Sequence, residues 1–299
     1  MKKHAYLIMA HTQPELLKTL LRLLDDERND LYIHIDSRAN DYPIEELAKE
    51  VTHAGCIFTE RTEVIWGTYS QIRCEQILLK EAVKKEHSYY HLLSGMDLPI
   101  KTQDEICAFF EKYQGLEFVD EDSADIHENA LARVKYAHHF FGKAGSWKDL
   151  LGAVETKMQK VLGVDRTKRY GKILFQKGRN WFSITQGLAE LVVEKEEWIQ
   201  EVFGKSVCGD ELFLQTVARN SRFADKICNP NTMPEIADTR YIDWERGCNN
   251  NPYVFRESDY EELKDSKALF ARKFDLKIDK KIVEKMSTDL CESVQKQRI

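Results

Sequence analysis

Two adjacent acids, Asp210 and Glu211, follow Val207-Cys208-Gly209 and open a run, ELFLQTVARN, with helical character. Asp is a good helix cap, which leaves Glu211 in the first turn, where the helix dipole favours an ionised carboxylate. Such a carboxylate at a helix mouth suits a general base that takes a proton from a hydroxyl. The same pattern is also an ordinary acidic first turn. A second candidate is Phe270-Ala271-Arg272-Lys273-Phe274-Asp275, read as the end of a helical stretch. Its basic pair can clamp a diphosphate and stabilise a leaving group's charge. Equally, the pair can be solvated while Phe270 and Phe274 anchor the tail. Arg240 and Arg246, flanking Tyr241-Ile242-Asp243-Trp244, are cations open to the same two readings.

A third group lies where strands end. AYLIMA (Ala5–Ala10) runs into His11, LYIHI (Leu31–Ile35) into Asp36, and YYHLL (Tyr89–Leu93) into the turn Ser94-Gly95-Met96-Asp97. Open α/β sheets bind ligands outside the carboxyl ends of their strands, and an acid after the second strand can bond a ribose or a base edge. Asp36 can also simply cap a turn. No G-x-G-x-x-G follows the first strand and no P-loop pattern occurs, so any nucleotide site lacks a glycine-rich phosphate cradle. Asp120-Glu121-Asp122 has the D-x-D spacing that suits Mg²⁺ or Mn²⁺, although acids in a solvated loop are the plainer reading. His138-His139 has no partner at metal-ligand spacing. Arg166–Arg179 carries six basic residues and no acid, with Tyr170 and Phe175 interleaved. The stretch to Trp181 is a solvated loop or a surface for RNA, an anionic membrane or an acidic substrate.

The elements that must position these groups follow from periodicity. Continuous apolar runs predict strands over 5–10, 31–36, 56–60, 89–93 and 116–120, with helices from Pro14, over 70–85 and over 102–113. Apolar rather than alternating strands argue for an α/β sheet covered on both faces. Residues 121–133 read as loop, 147–162 as an amphipathic helix, 188–201 and 211–219 as helices, and the tail after 259 as interrupted helix. No linker divides the 299 residues, so one domain is expected. Composition agrees with a globular chain: 42% hydrophobic, 31% charged, net charge −6. That sign gives no global reason to bind nucleic acid. Seven widely spaced cysteines suggest neither a zinc ribbon nor a disulfide framework, and a reducing, cytoplasmic setting is expected.

Several segments together resemble the core-2/I-branching glycosyltransferase family, which includes branching β-1,6-N-acetylglucosaminyltransferases and peptide O-xylosyltransferases. They are WGTYSQIRCEQILL (66–79), YYHLLSGMDLPIKT (89–102), GRNWFSIT (178–185), GDELFLQT (209–216), RYIDW (240–244) and LFARKFD (269–275). The resemblance covers roughly 4–285. It implies a GT-A fold, with a nucleotide-binding half over about 1–120, an acceptor half with a mixed sheet over about 121–275 and a helical tail over 276–299. It implies an inverting transfer of a sugar, N-acetylglucosamine first among candidates, from a UDP-sugar to a glycan, glycolipid or glycoprotein hydroxyl, with no metal or other cofactor.

By the same resemblance Glu211 is the catalytic base and Lys273 binds the donor phosphates. His11, Asp36, Gly95, Asp97 and Arg272 belong to the donor side. Asp210, Trp181, Arg240 and Trp244 belong to the acceptor side. A second phosphate-binding Arg of the family aligns near Asn250, with Arg240, Arg246 or Arg272 as substitutes. Gly209 stands where the family usually has Pro. The animal enzymes are Golgi membrane proteins with paired cysteines; no stretch of this sequence approaches the ~20 apolar residues of a membrane span, so a soluble bacterial-type member is expected. The helix 147–162 and the basic loop after it are expected either to approach a membrane or polymeric acceptor, or to pack on the core. The alternatives to this function are a metal-dependent transferase or hydrolase using Asp120 and Asp122, and a glycan- or RNA-binding protein using 166–181.

Overall fold

The computed structural model describes residues 2–297, apart from 41, 123–124, 141–145, 229–232, 234–235, 237 and 250. Strand β1 (His4–Ala10) lies at the centre, and its residues alternate between two cores. Tyr6, Ile8 and Ala10 face one core, with Leu16, Leu17, Leu20 and Leu21 of helix α1 (Pro14–Leu23). Ala5 and Leu7 face the other, with Ile72, Leu78 and Leu79 of α3 (Tyr69–Ala82). Burial on both faces is why the sequence runs apolar without alternation. Strand β2 (Asn29–Ile35) pairs parallel to β1, and β3 (Gly55–Phe58) parallel to β2. Between them α2 (Ile44–Lys49) is a short helix that the sequence reading passed over. Strand β4 (Tyr89–Ser94) returns to the other side of β1, again parallel.

After β4 come the short β5 (Asp97–Pro99) and α4 (Gln103–Lys112), whose start is a reciprocal cap between Thr102 and Glu105. Strand β6 (Phe118–Val119) follows, and then α5 (Glu128–Lys135), which occupies much of the stretch expected to be loop. Helix α6 (Trp147–Val161) is where the periodicity predicted it. Strand β7 (Phe182–Thr185) runs antiparallel between β4 and β6, so the sheet order is β3-β2-β1-β4-β7-β6. Strands from both expected halves therefore share one sheet. The helix expected over 188–201 is two, α7 (Gln186–Glu194) and α8 (Glu196–Phe203), broken at Lys195.

Helix α9 (Phe213–Arg219) begins two residues later than expected, behind a 3-10 turn over Gly209–Glu211. The tail departs most from expectation. Strand β8 (Arg240–Ile242), helix α10 (Tyr260–Asp265) and strand β9 (Phe270–Arg272) precede the last helix, α11 (Lys280–Gln297). Arg272 thus ends a strand, not a helix. In a second sheet, β9 pairs antiparallel with β5 and parallel with β8. An isolated three-residue strand is invisible to periodicity; here its partners define it.

Candidate active site

Strands β1, β2 and β4 are parallel, so His11, Asp36 and the Ser94–Asp97 turn share one edge of the sheet. The chain leaves β1 towards β2 on one side and comes back to β4 on the other. The crevice between β1 and β4 is thus a topological switch point, the usual ligand position in such sheets. The turn after β4 is tied to β1 by Gly95, whose backbone N–H donates to the Met9 carbonyl at 2.9 Å.

Strand β9 brings two cations to this crevice. Arg272 Nη1 donates to Asp97 Oδ1 at 2.6 Å and to the Ser94 hydroxyl, and its guanidinium lies 4.5 Å from the ring centre of Trp181. Asp97 is buried and also accepts from Ser94 N at 2.8 Å and Ser94 Oγ at 2.9 Å. Its carboxylate orients Arg272; it is not presented to a nucleoside. Lys273 is half-buried; its carbonyl accepts from the Phe255 N–H at 3.0 Å, and its Nζ has no hydrogen bond or ion pair among the described residues. Burial, then the neighbouring Arg272, lowers its pKa. His11 is exposed at the strand end and lies within electrostatic range of Asp36, Arg38, Lys273 and Arg272; partial desolvation lowers its pKa first, Asp36 opposes this, and the cations lower it further. Four basic side chains, His11, Arg38, Arg272 and Lys273, therefore lie where three parallel strands end, an arrangement that attracts a polyanion.

Asp36 is engaged locally. It accepts from Arg38 Nη2 at 2.7 Å and from the Arg38 backbone at 2.9 Å, and its pKa is lowered against the opposing effect of burial. It caps the loop and fixes Arg38. Arg61 secures the same loop by donating to the carbonyls of Asp36 at 2.9 Å and Ala39 at 2.7 Å. Two other expected residues are placed differently. Arg240 is buried: its guanidinium donates to the Phe182 carbonyl at 2.7 Å and Thr239 Oγ1 at 2.9 Å, and stacks on Phe270. It joins the two sheets and faces no acceptor. Burial lowers its pKa to about 10. Arg246 is held by Asp243, Asp259 and Glu262. Asn250 lies outside the described residues. Trp244 is exposed.

A carboxylate centre forms beside the cations. Glu211 Oε2 accepts from Arg133 Nη1 at 2.6 Å and lies 3.7 Å from Lys177 Nζ. Oε1 has no partner among the described residues, and the side chain is 36% exposed. Gly178 makes this possible: a Cβ there would fall 1.8 Å from the Asp120 carbonyl, and its N–H donates to the Glu211 carbonyl at 3.0 Å. Lys177, at the carboxylate, and Trp181, under Arg272, are four positions apart, so their Cα atoms lie within about 14 Å of each other.

Asp210 does not cap the helix as expected. It is buried and accepts from Gln71 Nε2 at 3.1 Å, while Oδ1 has no hydrogen-bond partner. Burial and the charge of Glu211 push its pKa up to about 7. Glu75 of α3 is wholly buried with neither oxygen bonded, and burial, then Asp210, drives its pKa well above the carboxylate range. The D-x-D acids are all paired: Asp120 with Arg179 at 2.6 Å, Asp122 with Lys177 at 2.6 Å and Glu121 with Arg219 at 3.0 Å.

The profile of the "Core-2/I-Branching enzyme" family matches residues 4–267. The chain belongs to the Core-2/I-Branching enzyme family. Among its relatives, xylosyltransferase 2 of Rattus norvegicus is 23% identical over 94% of this chain, which spans only 33% of that protein. A human β-1,3-galactosyl-O-glycosyl-glycoprotein β-1,6-N-acetylglucosaminyltransferase is 24% identical over 92% of this chain and 66% of its own length. Among solved structures, apo mouse xyloside xylosyltransferase 1 is 10% identical, with a TM-score of 0.36, over 89% of this chain and 96% of the other.

In this Core-2/I-Branching chain the residues missed by sequence reasoning are Arg133, Lys177 and Arg38. Arg133 sits on the unforeseen α5, and Lys177 belongs to a basic run that looked solvated. Arg38 was the legible one, at two residues beyond Asp36, the spacing of a side chain that closes on its own turn. The basic run itself is largely committed to structure. Arg166 donates to the carbonyls of Val134 at 3.2 Å and Val202 at 3.3 Å, Arg169 pairs with Glu201, and Arg179 pairs with Asp120 and Asp238. No described helix is long and apolar enough to cross a membrane.

Proposed function

We propose that the chain is an inverting glycosyltransferase that moves a sugar from a UDP-sugar to a hydroxyl of a glycan or glycoconjugate. The reading rests on one observation above the rest: both cations at Glu211 lie on Oε2, leaving Oε1 open. Arg133 and Lys177 hold the carboxylate through Oε2, and Oε1 is available to accept a hydroxyl proton. The hydroxyl then attacks the anomeric carbon as the nucleotide leaves from the opposite face. Lys273, Arg272 and His11 hold the diphosphate, and their positive charge stabilises the charge that grows on it. Trp181 supports Arg272 from below and borders the space between the two centres.

Transfer in this scheme uses side-chain cations where other transferases use a divalent ion. The pairing of Asp120, Glu121 and Asp122 with Arg179, Arg219 and Lys177 supports that reading. N-acetylglucosamine and xylose are the donors that the names of the relatives suggest. The deciding experiment offers UDP-N-acetylglucosamine, UDP-xylose, UDP-glucose and UDP-galactose. It records which one raises the melting temperature and releases UDP in the presence of acceptor. A product that keeps the donor's anomeric configuration by NMR overturns the single-displacement mechanism.

A further inference from the structure

Helix α6 is docked by its polar side and turns its apolar side to solvent. Gln159 binds the backbone of Ala137 twice, accepting from its N–H and donating to its carbonyl, each at 2.8 Å. Glu155 accepts from the His139 N–H at 3.0 Å, and Gly152 abuts the Phe140 carbonyl. At 100° per residue these three residues occupy one side of the helix. Trp147, Leu150, Val154, Met158, Val161 and Leu162 form a stripe on another, and none of them is covered. Leu150 is 68% exposed and Val161 81%. No residue of α6 is buried at all. The expectation that this helix packs on the core is therefore not met.

The charge around the stripe has the sign opposite to that of the whole chain. Residues 147–172 hold seven Lys or Arg and three Asp or Glu, in a protein of net charge −6. Of the acids, Glu155 and Asp165 turn inward, to His139 and to Lys135. Lys157, Lys168 and Lys172 are exposed. An apolar stripe with a tryptophan at one end and lysines beside it is the composition of a helix that lies in a bilayer interface. At about 22 Å long the helix does not span one; it lies along it.

We propose that α6 and the basic segment after it seat this protein on a membrane surface rich in anionic lipid. The charge favours this occupant over a second copy of the chain, because a copy would bring the same excess of lysine and arginine against its own. The inference does not depend on the transfer reading, since it rests on the exposed stripe of α6 and the lysines beside it and its test uses no donor.

The test is co-sedimentation of the full chain with vesicles of phosphatidylcholine containing about one third phosphatidylglycerol, against vesicles of phosphatidylcholine alone. Retention is expected on the anionic vesicles, with partition weakened by at least about fivefold for each of Lys157→Glu and Lys168→Glu. Val154→Asp with Val161→Asp should abolish retention. Both positions are exposed, so the melting temperature should be unchanged, which separates lost docking from lost folding. Three results would each overturn the proposal. One is no retention on either vesicle, and another is equal retention of the charged variants. The third is a concentration-dependent dimer that Val154→Asp dissolves, which would assign the face to a second copy.

Discussion

At Glu211, two cations share one carboxylate oxygen and leave the other to solvent, so removing the charge while keeping the shape is the sharpest probe. Glu211→Gln is expected to lower kcat by about 10²–10⁴ with nearly unchanged UDP-sugar affinity, because general-base assistance is confined to the transition state. Steady-state kinetics together with calorimetric binding checks both halves. Lys273 is expected to act the other way. Lys273→Ala removes a charge-assisted contact of about 1.5–3 kcal/mol and should weaken UDP binding at least about tenfold by calorimetry. Asp210 offers a test through stability. Its folded pKa is raised to about 7, so the folded state keeps a proton that the unfolded chain releases near pH 4. The contribution of its neutral form is complete below about pH 4 and is lost as pH rises to about 7. Asp210→Asn has no such loss. The difference in melting temperature, variant minus wild type, should therefore grow between about pH 4 and 7; a difference independent of pH would refute the shift.

At the scale of elements, the turn before α9 decides where Glu211 points. Cys208 sits at positive φ and its N–H donates to the Gly67 carbonyl at 2.8 Å, fastening the turn to the start of α3. A Cβ on Gly209 would lie 2.4 Å from Ser206 Oγ, which is itself committed to the Phe203 carbonyl, and 3.1 Å from Ile72. The proline usual in the family cannot be accommodated here without moving Ser206. Gly209→Ala is accordingly expected to cost about 1–3 kcal/mol of stability, read as a lower denaturant midpoint, and to reduce turnover by displacing the Glu211 turn. The sequence showed that an acid pair opened a helix near residue 211. It did not show that a buried Asp210 and an intervening 3-10 turn would rotate Glu211 towards Arg133.

For the whole molecule, one sheet carries the strand-end crevice and, through β7, the position of Trp181, while the small β5-β9-β8 sheet delivers Arg272 and Lys273 from the far end of the chain. Every cation expected at the donor is a side chain of this fold, so transfer is expected to persist in excess EDTA. Loss on chelation and recovery with Mn²⁺ would shift the reading to Asp120 and Asp122, whose pairs with Arg179 and Lys177 would have to open.

The strands β1, β2 and β4, the helices on either face and the strand-end position of His11, Asp36 and Gly95 were all legible in the chain. Burial on two faces forces a continuous apolar run, and such runs can be read locally. The nature of β9, the burial of Arg240 and the occupation of Asp97 were not. A three-residue strand exists only through its partners, and whether an arginine binds a phosphate or a carbonyl depends on what the fold sets beside it. Residues 97 and 272, or 133 and 211, meet only after the sheets have closed. The pairing that turns a list of charged residues into a carboxylate centre and a cation cluster is thus a property of tertiary contact, because charge partners are chosen by distance in space and not along the chain.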